Sequence, residues 1–207
     1  MTVEYFDVEQ GSDEWKRLRC GIVTASEFGT ILAKGRSGGE SETRRKYLLR
    51  IVGERITGEP AETYTNAHME RGKLMEDDAR TRYAFERNVD PTRVGFARNV
   101  FSGAPVGASP DSLMGEKGTL EIKSKLPHLQ IEVLLAKEMP WEHKAQVQGQ
   151  LMVCEREWCD FVSYWPKLPL FVKRIYRDEP YIRNLESEIC RFNTEAADLE
   201  AKIRAIA

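Results

Sequence analysis

Along the 207 residues the apolar positions first recur at helical spacing and then, from about Val94, alternate at the spacing of strands. Ser12 followed by Asp13 and Glu14 predicts an N-cap with acids in the first turn, opening a short helix that carries Trp15 and Leu18. Thr24 or Ser26 is placed to cap a second helix whose apolar face is Phe28, Ile31 and Leu32, and residues 35–39 break it into a loop. Ser41 is placed to cap a longer helix with Tyr47, Leu48, Ile51, Val52 and Ile56 turned inward and Gly58 at its end. The next helix is predicted over Asn66 to Arg87.

The runs VGFARNVFS, PVGAS and GTLEIKS then predict three short strands, 94–102, 105–109 and 118–124, forming a central antiparallel meander. Helices follow over Ile131 to Glu138 and Glu142 to Glu155, and two β-rich runs, 159–165 and 170–176, flank Pro166 and Pro169. A polar amphipathic helix from Tyr181 closes the chain. The order predicts a central mixed β-sheet flanked by helices, in the α/β or α+β class, and one domain over residues 1–207 with 181–207 as its C-terminal helix.

Composition narrows this only slightly. A hydrophobic fraction of 41% supplies a core and 31% charged residues a highly charged surface. No run reaches the roughly 20 apolar residues that span a bilayer, and the N-terminus lacks a signal-peptide pattern, so a cytoplasmic protein without membrane partners is expected. Cys20, Cys154, Cys159 and Cys190 show no zinc-type spacing and are read as reduced thiols. The net charge of −2 hides an asymmetry: residues 16–55 hold ten basic side chains against four acidic ones, whereas 178–200 hold seven acidic against two basic. Either one end of the molecule faces phosphate, or these are two solvated helix faces.

The chemistry lies in Ser109-Pro110-Asp111 and, after nine intervening residues, Glu121-Ile122-Lys123. Alternation puts Glu121 and Lys123 on one face of their strand and turns Ile122 to the core. Two carboxylates meeting at a strand turn can hold a hard cation such as Mg²⁺, and an ammonium beside them can orient the water that hydrolyses a phosphodiester. Taken singly each motif is weak, and an exposed ion pair explains it equally well. Glu76, Asp77 and Asp78 point to different sides of a helix, so one of them at most faces such a site.

These residues occur with Trp15-Lys16-Arg17-Leu18-Arg19, Gly21-Ile22-Val23-Thr24-Ala25-Ser26, Lys34-Gly35-Arg36-Ser37-Gly38, Gly72-Lys73, Glu76-Asp77-Asp78-Ala79-Arg80 and Ala145-Gln146-Val147-Gln148. In that order the chain resembles the PD-(D/E)xK nucleases and, within them, the lambda exonuclease and YqaJ-like viral recombinase group, with a restriction-endonuclease-like core. The resemblance implies a Mg²⁺-dependent 5′-to-3′ exonuclease, Mn²⁺ substituting, that digests linear double-stranded DNA to 5′-mononucleotides and leaves a 3′ strand. The alternatives are an endonuclease of the same fold and a non-catalytic DNA-binding module. The resemblance also implies catalytic roles for Asp111, Glu121, Lys123 and Gln146. Metal would be held by Asp111, Glu121, the Ile122 carbonyl and Glu76, a 5′-phosphate by Arg19, Ser26 and Arg36, and the duplex parted by Met69. Its implied partners are DNA ends, two further copies in a homotrimeric ring, and a single-strand annealing protein. Two departures stand out. Ser124-Lys125-Leu126-Pro127 replaces the usual Cys-Pro, and Leu129 stands where lambda-type members carry an arginine, leaving Lys125 or His128 to make that phosphate contact. His68 and His143 are read as structural.

Overall fold

The computed structural model describes residues 3–35, 39, 41–61 and 67–206, the side chains of 67–70 and 73 excepted. In chain order these form β1 (Glu4–Phe6), α1 (Asp13–Arg19), β2 (Val23–Thr24), α2 (Phe28–Leu32), α3 (Glu42–Thr57) and α4 (Ala67–Arg87). Four strands follow, β3 (Phe96–Phe101), β4 (Ala104–Ala108), β5 (Ser112–Met114) and β6 (Gly118–Ser124). Then come α5 (Pro127–Ala136), α6 (Lys144–Val153), β7 (Trp158–Tyr164), β8 (Phe171–Tyr176) and α7 (Glu179–Arg204).

The predicted caps largely form. Ser12 Oγ accepts from the Trp15 amide at 3.2 Å and Ser41 Oγ from that of Arg44, while Gly58, at φ +70°, returns its N–H to Glu54 and ends α3. The expected cap by Thr24 or Ser26 does not form. Their hydroxyls instead lie 3.3 Å apart, and that of Thr24 accepts from Arg19. α5 begins earlier than expected because Pro127 suits a first helical turn, where no backbone donor is needed.

The three-stranded meander is corrected. β3 and β4 do make an antiparallel hairpin, closed by Ser102 and Gly103 at φ +49° and +80°, but β6 belongs elsewhere. The described strands form two mixed four-stranded sheets, in orders β1-β3-β4-β2 and β5-β6-β7-β8. β2 runs parallel to β4, and β6 parallel to β7. Ser109-Pro110-Asp111 carries the chain from the first sheet to the second, Pro110 having no N–H with which to extend a ladder. The short β5, hidden in a run of turn residues, then pairs with β6.

Helices cover both sheets. Leu120 and Ile122 of β6 pack with Ala79 and Tyr83 of α4, so Ile122 is core as its alternation requires. Phe28, Ile31, Leu48, Ile51, Leu185, Ile189 and Phe192 form a larger cluster that joins α2, α3 and α7. The two charge blocks therefore meet instead of marking opposite ends: Arg44 pairs with Glu195 at 2.6 Å, and Arg55 donates to Asn193. All four cysteines are free, and no helix among the described residues is long and apolar enough to cross a membrane.

Candidate active site

Where the two sheets meet, a cavity of about 200 Å³ is lined by Asp111, Glu121, Lys123, Gln146 and Gln150 on one side and by Trp15, Arg19, Ser26 and Ser109 on the other. β6 supplies Glu121 and Lys123 from one face, as its alternation predicts, and the turn before β5 supplies Asp111. The Ile122 amide donates to Asp111 Oδ2, fixing that carboxylate against the strand that carries the other two groups. Lys123 Nζ lies 2.6 Å from Glu121 Oε1.

Glu121 is only 2% exposed, and three donors hold it: Lys123, Gln146 Nε2 at 2.6 Å on Oε1, and Gln150 Nε2 at 3.1 Å on Oε2. Gln146 was expected from the resemblance; Gln150 was not. Its signal was nevertheless present, since glutamines four residues apart lie on one helix face. Gln150 is itself oriented, its carbonyl accepting from Thr119 Oγ1 at 3.4 Å.

Burial, and then the negative charges of Glu121 and Glu76, push the Asp111 carboxyl well above the usual carboxylate range, against the Lys123 ammonium and the Ile122 amide. Lys123 is raised, because Glu121 and Asp111 together outweigh the burial that would lower it. The site thus holds more negative charge than one ammonium offsets. An all-oxygen pair in that condition fits a hard divalent cation.

Glu76 lies close enough for its charge to bear on both Asp111 and Lys123, while its carboxylate accepts from Arg80. Arg80, with a side chain only 10% exposed, also donates to Asp77, to Ser112 Oγ at 3.0 Å and to the Asp111 carbonyl at 3.2 Å. It braces the turn that presents Asp111, a role the run of acids around it concealed in the sequence. Among the described residues no three acidic, histidine or cysteine side chains form a metal cluster; of the residues expected to hold a cation, Asp111 and Glu121 line the cavity together.

The opposite wall centres on Arg19. Its guanidinium lies 4.0 Å from the Trp15 ring centroid and donates to Ser109 Oγ at 3.2 Å and Thr24 Oγ1 at 3.1 Å. Burial pushes its pKa down to about 10, which leaves it charged at neutral pH. Among the described residues its hydrogen-bond partners are neutral hydroxyls, so its charge has no bonded carboxylate. Arg19, Trp15, Thr24 and Ser26 also line an adjoining groove of about 880 Å³, which Arg50, itself paired with Glu27 at 2.8 Å, lines as well.

Arg36 and the side chain of Met69 lie outside the described residues; Met69 belongs to α4. Past Lys123, the Lys125 ammonium lies 3.1 Å from His143 Nε2 and 3.4 Å from Glu142, whereas His128 is exposed at the start of α5. His143 stacks on Phe161, in keeping with a structural role.

A mixed α+β fold with one carboxylate in the turn before β5, and a second carboxylate and a lysine on one face of β6, is a PD-(D/E)xK nuclease core. Residues 14–157 match the YqaJ-like viral recombinase domain, and the chain belongs to that family. Its fold is similar to that of an alkaline exonuclease from Laribacter hongkongensis, at 32% identity and TM-score 0.83, over 94% of this chain and 97% of that one. The same exonuclease in complex with dAMP matches at 33% identity and TM-score 0.81, over 95% and 100%. A phage-related exonuclease from Haemophilus somnus 129PT, at 13% identity and TM-score 0.64 over 91% and 99%, shares the fold. A search of curated proteins finds no match.

Proposed function

We propose that this protein is a Mg²⁺-dependent exonuclease that degrades linear double-stranded DNA from its 5′ ends, releasing 5′-mononucleotides and leaving a 3′ single strand. The observation that carries the reading is the shared cavity: a carboxylate pair with a lysine on one wall, and an arginine without a carboxylate partner on the other. The similar Laribacter protein is an alkaline exonuclease, and its complex holds a mononucleotide, which agrees with this reading.

Asp111, Glu121 and the Ile122 carbonyl would hold Mg²⁺, or Mn²⁺ in its place, and the cation when bound supplies positive charge that offsets charge building on the phosphate. Gln146 and Gln150 fix Glu121, and the Ile122 amide fixes Asp111, so neither carboxylate has to reorganise as the reaction proceeds. Lys123, beside Glu121, orients the attacking water. The water oxygen joins phosphorus, the P–O3′ bond breaks, and a proton passes to the departing 3′ oxygen. The shortened strand now ends in a new 5′-phosphate, the group that Arg19 and Ser26, with Arg36, would grip. Glu76 would join the metal by leaving Arg80. The homotrimeric ring and the annealing partner belong to the same proposal.

The test is digestion of linear duplex labelled separately at its 5′ and its 3′ ends, beside covalently closed plasmid, with and without Mg²⁺, the 5′ label being expected to leave first. Mononucleotide release from the linear substrate alone, dependent on the cation, is expected. Cutting of closed plasmid would replace the reading with an endonuclease, and no cleavage in any arm would leave a DNA-binding module.

A further inference from the structure

Ser109 joins the two walls of the cavity. Its hydroxyl oxygen accepts from Trp15 Nε1 at 2.9 Å and from Arg19 Nη1 at 3.2 Å, and Trp15 Nε1 also reaches the Gly95 carbonyl at 3.1 Å. Two residues on stands Asp111, held by Ile122. Between them Pro110 is buried, its φ fixed by its ring, and Gln10 Nε2 clamps its carbonyl at 3.1 Å while also bonding the Val94 carbonyl at 3.0 Å. The stretch from Arg19 to Asp111 is thus a chain of fixed links: guanidinium, hydroxyl, a clamped proline, carboxylate. At most about 7 Å of backbone separates Ser109 from Asp111. That short span ties the position of Arg19 to that of the Asp111 carboxylate. With both its lone pairs taken, Ser109 has only its hydroxyl hydrogen left, and it lines the cavity.

We propose that Ser109 is a positioning residue that fixes the register between the gripped 5′ end and the bond that is cut, so that the product is one nucleotide long. The inference rests on the exonuclease reading and on Arg19 as the terminal-phosphate grip. A lost hydroxyl would leave Arg19 free to tilt on the Trp15 ring. The terminal phosphate would then sit at a variable distance from Asp111.

The experiment compares full-length wild type, Ser109→Ala, Ser109→Thr and Arg19→Ala on matched linear duplexes with 5′-phosphate or 5′-hydroxyl ends, at one salt concentration. Two quantities are read: the ratio of initial rates on the two ends, and the proportion of dinucleotide among early products. Wild type should prefer phosphorylated ends and release mononucleotides. In Ser109→Ala the preference should fall by roughly tenfold, the scale of one hydrogen bond to a charged group. Dinucleotides should appear, and Ser109→Thr should restore both quantities. A phosphorylated-end preference unchanged in Ser109→Ala, with mononucleotides alone, overturns the inference while leaving the Arg19 grip intact. Equal loss on both ends without rescue by threonine shows a merely structural serine and also overturns it. A wild type indifferent to the end phosphate removes the grip itself, and the inference with it. Should Ser109→Ala fail to fold, Ser109→Cys, similar in volume but a weak acceptor, gives the same readings.

Discussion

Two half-buried residues set what single substitutions should do. Asp111 stands among like charges, so Asp111→Asn removes repulsion while its amide oxygen can still accept from Ile122. The melting temperature of the variant should equal or exceed that of wild type, turnover should fall by roughly a hundredfold or more, and the Mg²⁺-induced rise in melting temperature expected of wild type should vanish. A variant still stabilised by Mg²⁺ would place the cation elsewhere. His143 works through pH. Burial, then Lys123 and Lys125, push its pKa down to about 4 from an ordinary 6.5. The folded state therefore keeps it neutral where the unfolded chain takes up a proton, so stability is lost as pH falls from about 6.5 to about 4 and no further below that. His143→Phe, which keeps a ring against Phe161, should flatten that limb of the stability curve by up to about 3 kcal/mol. Denaturant melts of both proteins at pH 4, 5.5 and 7 measure it, and parallel curves would refute it.

At the scale of elements, local pattern was legible and pairing was not. The caps at Ser12 and Ser41, the Gly58 stop and the alternation of Glu121, Ile122 and Lys123 all follow from chemistry within a few residues. That β6 lies beside β7 and not beside β4 is a long-range choice, and no neighbour in sequence encodes it. The site shows the same division. The two carboxylates and the lysine sit in short motifs, whereas Ser109, Gln150 and Arg80 gain their partners only when α1 meets the turn after β4 and α6 and α4 pack on β6. Close packing of α6 is itself a requirement. A Cβ on Gly149 would lie 2.2 Å from Phe28 Cδ2, so α6 approaches α2 as only glycine permits. Gly149→Ala should destabilise the protein by about 1 to 3 kcal/mol. By shifting Gln146 and Gln150 away from Glu121, it should also lower turnover more than DNA affinity. Unchanged turnover in a folded Gly149→Ala would mean that the glutamine clamp tolerates the displacement.

Over the whole molecule, the acidic C-terminal helix and the basic N-terminal segment are one structural unit. α7 presents Ile182, Leu185, Ile189 and Phe192 to the cluster that also holds Phe28 of α2, Ala145 of α6 and Ala25, which lines the cavity with Arg19. Of its acids, Glu195 meets Arg44 in a partly exposed pair. Burial should therefore dominate over charge in holding the helix. Leu185, fully buried, should cost about 2 to 5 kcal/mol when cut to alanine. Glu195→Gln, which weakens a pair open to water, should cost about 1 kcal/mol or less. Neither residue touches the cavity, so both variants, assayed well below their melting temperatures, should keep the wild-type preference between phosphorylated and hydroxyl ends. Chemical denaturation together with the end-preference ratio separates the outcomes. A larger loss in Glu195→Gln than in Leu185→Ala would mean that charge, not apolar contact, fastens α7. A changed end preference in folded Leu185→Ala would mean that the cluster transmits the position of α7 to Arg19, making the C-terminal helix part of the machinery that reads the DNA end.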